Sequence, residues 1–389
     1  MTIDAGPARS AWRRLFGVPL LISAAFTVLM LVAAVVAGLP IRDPEGFLGP
    51  SYVRLPLMVL LMIAADVVPR VLARRREHGG LAAATSQVLR TRWSGPRLAV
   101  ALAGLATFYL AYMSYRNLKS FLPFLRDQLT DTMLEATDKW FAGGEYPADV
   151  LQELLGTGFS ADLLSGVYML FMVFVPVSLA AALVWSDNLQ RGAWYATALS
   201  LNWILGTVSY YALPSMGPVY ADATPFYDLP ETPVSDLQDT LYENRAEVLT
   251  NPFATENVHG IAAFASLHVS IVFTAALVAH LTRLPKTVRW IMWIYTALTM
   301  LATVYFGWHY VLDVIAGFAL GGLSVWLASK AVGTGRKHFA PRIELADPDV
   351  GPGLVQPDAA PGPGPVQPDA APGPGPAKPD AEPELSSLR

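Results

Sequence analysis

Hydrophobic positions along this chain fall into long unbroken runs separated by charged segments, rather than into the short alternating or amphipathic patterns of a soluble domain. A helix needs about 20 apolar residues to span about 30 Å of hydrocarbon. Eight runs approach that length, at 18–39, 55–72, 98–115, 163–184, 193–211, 266–281, 288–306 and 308–327. The sixth is short, and the second carries Asp66 and Pro69, a charge and a helix breaker inside an apolar stretch. The first follows Arg9, Arg13 and Arg14 as a signal peptide would, but its apolar stretch is too long and no small-residue cleavage site follows. It reads as a retained helix. The pattern predicts an all-α, polytopic integral membrane protein with about eight transmembrane helices.

Composition agrees: 53% of the 389 residues are hydrophobic and 15% charged, and the mean hydropathy is +0.39. Neither a soluble domain of ordinary composition nor a basic nucleic-acid-binding module fits those values. The chain has no cysteine, which excludes disulfides, thiolate metal sites and cysteine nucleophiles. Charge between the runs predicts orientation, because short cytoplasmic loops keep an excess of Lys and Arg. Arg74, Arg75, Arg76, Arg90, Arg92 and Arg97 follow the second run, Arg283 and Lys286 the sixth, and Lys330, Arg336 and Lys337 the eighth. In an eight-helix count these share one side with the N-terminus. The opposite side holds the segment 212–265, where Arg245 faces Asp222, Asp228, Glu231, Asp236, Asp239, Glu243, Glu247 and Glu256. The expectation is a multi-pass protein of the plasma membrane with both termini cytoplasmic and the acid-rich side extracytoplasmic.

From Asp347 onward seven acids stand against Lys378 and Arg389, so the formal net charge of -4 is a tail effect. The tail repeats itself, with VQPDAAPGPGP at 355–365 recurring at 366–376 and a degraded copy starting at Ala377. Proline removes backbone donors and almost no large apolar side chain is present, so ordering this segment has little to offset its entropy. A disordered cytoplasmic tail is expected at 331–389, after two N-terminal helices and a basic loop at 1–97 and a core of six helices at 98–330.

Three short segments carry candidate chemistry. Residues 305–313, YFGWHYVLD, open the eighth helix and place His309 and Asp313 four apart, and therefore on one helical face. An ionisable pair in an apolar span is costly and points to function. Asp313 can fix the His309 tautomer and leave the other nitrogen as nucleophile or base, whereas the bland reading is a structural helix-end pair. At the sixth run, Ser266 is a candidate N-cap, with first-turn amides that suit an anion and His268 beside it. At the end of the third run stand Arg116, Lys119 and Arg126. Such cations commonly snorkel to headgroups, but they fall on the side where few are expected, and a local anion explains that. All three segments come out on the same side of the membrane.

Lys119, Arg126, the SLH ending in His268, and His309 with Asp313 resemble, in order and spacing, the three-part signature of the type 2 phosphatidic acid phosphatase superfamily. The resemblance covers 98–327, and its wording (YRNLKSFLP at 115–123, YALPSMGP at 211–218, SLHVS at 266–270, GWHYVLDVIAG at 307–317) is closest to the branch of inositol phosphorylceramide synthases and related inositolphosphotransferases. It departs from the common pattern at Asp127, where proline is usual, at Leu267, where glycine is usual, and at Ala302 and Thr303, which replace a serine-arginine pair. The resemblance implies a six-helix catalytic core and attack on phosphorus by His309. It also implies that Asp313 orients His309, that His268 moves the proton, and that Lys119, Arg126, Arg116 and the helix at Ser266 hold the phosphate. The donor it implies is a lipid phosphate or phospholipid in the bilayer, and the acceptor is water or the hydroxyl of a lipid or glycan. No cofactor, metal or nucleic acid enters that scheme. Two other classes compete with it: a metal hydrolase with zinc on His268, His309 and Asp313, and a lipid transporter or flippase, which would show internal repeats and broken helices.

Overall fold

In the computed structural model, which describes residues 6–43, 51–77, 79–255, 258 and 260–334, the described residues form helices joined by turns, with no strand. The helices are α1 (Gly6–Ala37), α2 (Ser51–Arg74), α3 (Leu81–Arg92), α4 (Gly95–Leu125), α5 (Asp131–Phe141), α6 (Pro147–Leu155), α7 (Phe159–Ala180), α8 (Leu189–Ala212), α9 (Pro218–Ala221), α10 (Pro233–Thr250), α11 (Leu267–Leu281), α12 (Lys286–Tyr305) and α13 (Val311–Ala331). Among them α1, α2, α4, α7 with the π-helical turn Ala181–Trp185, α12 and α13 are six helices long and apolar enough to cross a membrane. The protein is an all-α polytopic membrane protein.

Six of the described helices, against eight apolar runs in the sequence, meet that length and apolarity. The fifth and sixth apolar runs do form helices, α8 and α11, but α11 has only 15 residues and α8 carries polar side chains along its length. Both sit inside the bundle, where a helix answers to its neighbours rather than to lipid. Buried Asn202 of α8 donates to the Ala198 carbonyl at 2.7 Å and to the Thr274 hydroxyl of α11 at 3.0 Å. Ser270 of α11 donates back to Asn202. Polarity that lowers the hydropathy of α8 is therefore spent on fastening it to α11.

Local signals set where the helices start. Asn188 caps α8 by accepting from the amides of Gln190 and Arg191 at 3.0 and 3.2 Å, Pro96 opens α4 behind Ser94, and Thr232 with Ser235 caps α10. Asp66, the charge inside the second run, is buried and satisfied: Arg92 of α3 meets it at 3.1 Å and Arg70, one turn on, also binds it. Arg92 reaches on to Asp187 at 2.6 Å, closing one end of the bundle.

Packing then brings the helices together around Phe16, Met30, Phe108, Tyr115, Leu199 and Ile271. α1 lies on α4, α4 on α8, α8 and α11 on α13, and α12 on α7 and α11. The approach of α13 to α11 depends on glycine. A Cβ at Gly317 would stand 2.6 Å from the Ser266 carbonyl oxygen, and one at Gly321 would stand 2.7 Å from that of Ser270. The segments read as loops hold further helices: α5 and α6 between α4 and α7, and α9 and α10 between α8 and α11. The repeats of the tail, with the whole of 335–389, lie outside the described residues, as do His78 and His259.

Candidate active site

The site forms where the link between α12 and α13 meets the first turn of α11. α12 ends at Tyr305, Gly307 turns the chain with φ of 67°, and α13 begins only at Val311. His309 therefore precedes the helix instead of sharing a helical face with Asp313. Asp313, in the first turn of α13, accepts from the Tyr310 amide at 3.0 Å through Oδ2, and the same oxygen lies 3.4 Å from His309 Nδ1. One carboxylate thus caps the helix and holds the imidazole.

The other edge of that ring faces α11. His309 Nε2 lies 3.5 Å from His268 Nδ1, so Asp313, His309 and His268 form a line. Ser266 sets the last of these: it accepts from the Val269 amide at 3.4 Å to start α11, and its own amide donates to the Asp313 carbonyl at 2.9 Å. Its hydroxyl is committed to capping. The His268 ring packs against Tyr168 and Phe171 of α7, with centroids 4.7 and 4.4 Å away, and Tyr168 stacks on Trp308 at 5.1 Å. The two imidazoles thus meet beside a wall of aromatic rings.

The three expected cations separate. Lys119 of α4 lies near enough to act electrostatically on both imidazoles, and its ammonium lies 5.4 Å from the Tyr210 ring centroid and 5.9 Å from that of Tyr115. Arg116 donates to the Val258 carbonyl at 2.6 Å through Nη2 and at 3.2 Å through Nε, fastening the segment before α11. Gly260 in that segment is close against the chain, since a Cβ there would stand 2.3 Å from the Lys119 carbonyl oxygen. Arg126 is exposed at the end of α4, and among the described residues no contact joins it to the histidines.

Two carboxylates that the motifs do not contain hold the His309 loop from outside. Asp131 and Asp138 lie seven apart on α5, on one face, and both are buried. Asp131 accepts from the amides of Met216 and Gly217 at 3.0 and 2.9 Å and from the Tyr310 hydroxyl at 3.0 Å. Asp138 accepts from the Val311 amide at 2.9 Å, at the very start of α13. Burial pushes the Asp138 carboxyl up to about 6 against the pull of the Val311 amide, and the Asp313 charge adds to the rise. Val219 donates to the Gly307 carbonyl at 3.0 Å, so α5, the segment before α9 and the His309 loop are one hydrogen-bonded unit. A small surface cleft lies beside His309, lined by Glu135, Asp138, Tyr146, Phe226 and Tyr310 among others. The signal for the two aspartates was their spacing on an amphipathic stretch inside a segment read as loop.

A nucleophile-capable imidazole, an orienting carboxylate, a second imidazole and a lysine, set at one end of a helical membrane bundle, suit phosphoryl transfer. The family model of the PAP2 superfamily matches residues 141–327, a span that takes in His268, His309 and Asp313 and leaves out Arg116, Lys119 and Arg126. Together with the apolar helices this supports a membrane phosphatase-type function. No curated protein and no solved structure matches the chain. Among the described residues no group of three or more His, Asp or Glu side chains gathers as a metal site. In this arrangement Asp313 and His268 address opposite nitrogens of His309, so the three do not converge on one ion.

Proposed function

We propose that the protein cleaves a lipid-linked phosphate, as a phosphatase or phosphotransferase, through a phosphohistidine on His309. The observation that carries the reading is the line from Asp313 to His309 Nδ1 at 3.4 Å and from His309 Nε2 to His268 at 3.5 Å. Asp313 keeps the proton on Nδ1, so that Nε2 presents its lone pair to phosphorus. As the N–P bond forms and the P–O bond to the lipid breaks, His268 gives its proton to the leaving oxygen. In the second half His268 takes a proton from the acceptor hydroxyl, that oxygen attacks phosphorus, and the N–P bond breaks. Lys119 and the first-turn amides of α11 stabilise the charge on the phosphoryl oxygens. Arg116 supports this site by holding the segment at Val258, and Arg126 at the membrane surface meets the donor's headgroup.

Loop charge supports an extracytoplasmic site in the plasma membrane, and the wording at 115–123 and 307–317 supports transfer of an inositol-phosphate type to a lipid or glycan hydroxyl. The reading is tested by incubating a lipid extract with the wild-type protein and with His309→Ala and comparing donors and products by mass spectrometry. Wild type consumes one class of phosphorylated lipid and the variant none; consumption by both overturns the assignment.

A further inference from the structure

α5 has three sides. Asp131, Leu134 and Asp138 are buried against the His309 loop, Thr132, Glu135 and Lys139 form a polar side, and Met133, Trp140 and Phe141 remain exposed at 49%, 76% and 52%. α6 also leaves Val150 and Leu154, one turn apart, exposed, as is Phe159 at the start of α7. No protein segment among the described residues covers these side chains. A helix divided into a protein side, a water side and an apolar side is the pattern of one lying in a membrane surface.

The depth of α5 is fixed by its hydrogen bonds. Asp138 holds the amide of Val311, which is the first residue of the spanning helix α13. A link of five residues (126–130) joins the spanning helix α4 to α5, and one of three (156–158) joins α6 to α7. At no more than about 3.6 Å per residue, those links keep the pair within a short reach of the bilayer boundary. Trp140, packed edge-on against Phe141 at 5.1 Å, is a side chain type favoured at that boundary.

We propose that α5 and α6 form an interfacial hairpin whose partner is the bilayer itself, with Met133, Trp140, Phe141 and Leu154 seated in the boundary between headgroups and acyl chains. The opposite face of the same helix carries Asp131 and Asp138, so the leaflet that holds α5 also sets the depth of the His309 loop. This rests on the reading of His309 only for its consequence: a phosphate at the headgroup level of that leaflet arrives at the height of the nucleophile. The seat itself is measured without turnover, so its failure leaves the His309 assignment intact.

The cysteine-free chain allows the test. Single cysteines replacing Met133, Trp140 and Leu154 on the apolar side, and Thr132 and Lys139 on the polar side, are spin-labelled in the full-length protein in phosphatidylcholine vesicles. Their accessibility to oxygen, which concentrates in the bilayer, and to a water-soluble nickel chelate is then compared. The oxygen-to-nickel ratio at the first three positions is expected to be several-fold above that at the last two. High nickel accessibility at Met133 and Trp140 overturns the proposal, and so does exclusion of both reagents, which marks a face covered by another protein surface. Loss of folding in the labelled variants does not hide the answer, because the wild-type protein and Trp140→Phe are also compared in vesicles of brominated phosphatidylcholine. The Trp140 contribution should be quenched more strongly there than in unbrominated vesicles; equal emission contradicts the seat.

Discussion

Asp313 performs two tasks with one oxygen, capping α13 through the Tyr310 amide and holding His309 Nδ1. The four-residue spacing of His309 and Asp313 was legible in the sequence, but the helical face assumed for it was not the cause. Gly307 and the capping turn place the imidazole just ahead of the helix, and only backbone geometry reveals that. Lys119 and Arg116 read alike as cations at a helix end. Tertiary contacts part them, one beside the histidines and one on the Val258 carbonyl. The one sequence signal for Asp138 was its seven-residue spacing from Asp131, and its role was not legible because it depends on meeting an amide more than 170 residues away. Its carboxyl sits near 6 in the fold against 3.8 ordinarily, so the folded state holds that proton more tightly than the unfolded chain. The stability this contributes is full below the ordinary value and is lost as pH rises through about 6. In detergent, the wild-type melting temperature should fall between about pH 4 and about pH 7 by a component that Asp138→Asn lacks. Identical pH profiles for the two proteins would remove Asp138 from that role.

Among the elements, the long spans were legible from hydropathy because lipid-facing helices must be apolar all along. α8 and α11 were found as apolar runs, and their polar residues Asn202, Ser270 and Thr274 bond to one another inside the bundle. α5, α6 and α10 were missed as helices because their one-sided apolar pattern is short and is set among charged residues. The α11–α13 contact is the element that aligns the two histidines, and glycine makes it. Gly317→Val would drive side-chain atoms into the Ser266 backbone, 2.6 Å from where its Cβ must sit. A destabilisation of about 1–3 kcal/mol is expected from overpacking, together with a larger loss of turnover because His268 moves with Ser266. Gly166 on α7 has nothing within 4 Å of the same built atom, so Gly166→Ala should melt at or above the wild-type temperature. Equal melting shifts in the two variants would show that the close approach is not what holds α11 to α13.

For the whole molecule, the bundle gathers His268, His309 and Lys119 at one end and Arg92, Asp66 and Asp187 at the other. Which end faces the cytoplasm is read from loop charge, and the cysteine-free chain makes it measurable. Glu243→Cys should be labelled by an impermeant reagent on intact cells, and Glu77→Cys only after permeabilisation; the reverse pattern inverts the topology. The central claim is the covalent intermediate, and trapping it is the most direct measurement. Purified wild-type protein, His268→Ala and His309→Ala are mixed with an activated aryl phosphate, whose leaving group needs no proton, quenched, and assayed for acid-labile phosphate on the chain. The account predicts a phosphorylated chain in wild type and in His268→Ala, because proton transfer worth about 10² to 10⁴-fold is not required with this donor, and none in His309→Ala. Phosphate on the His309→Ala chain, or turnover by wild type with no phosphoprotein at any quench time, would contradict it.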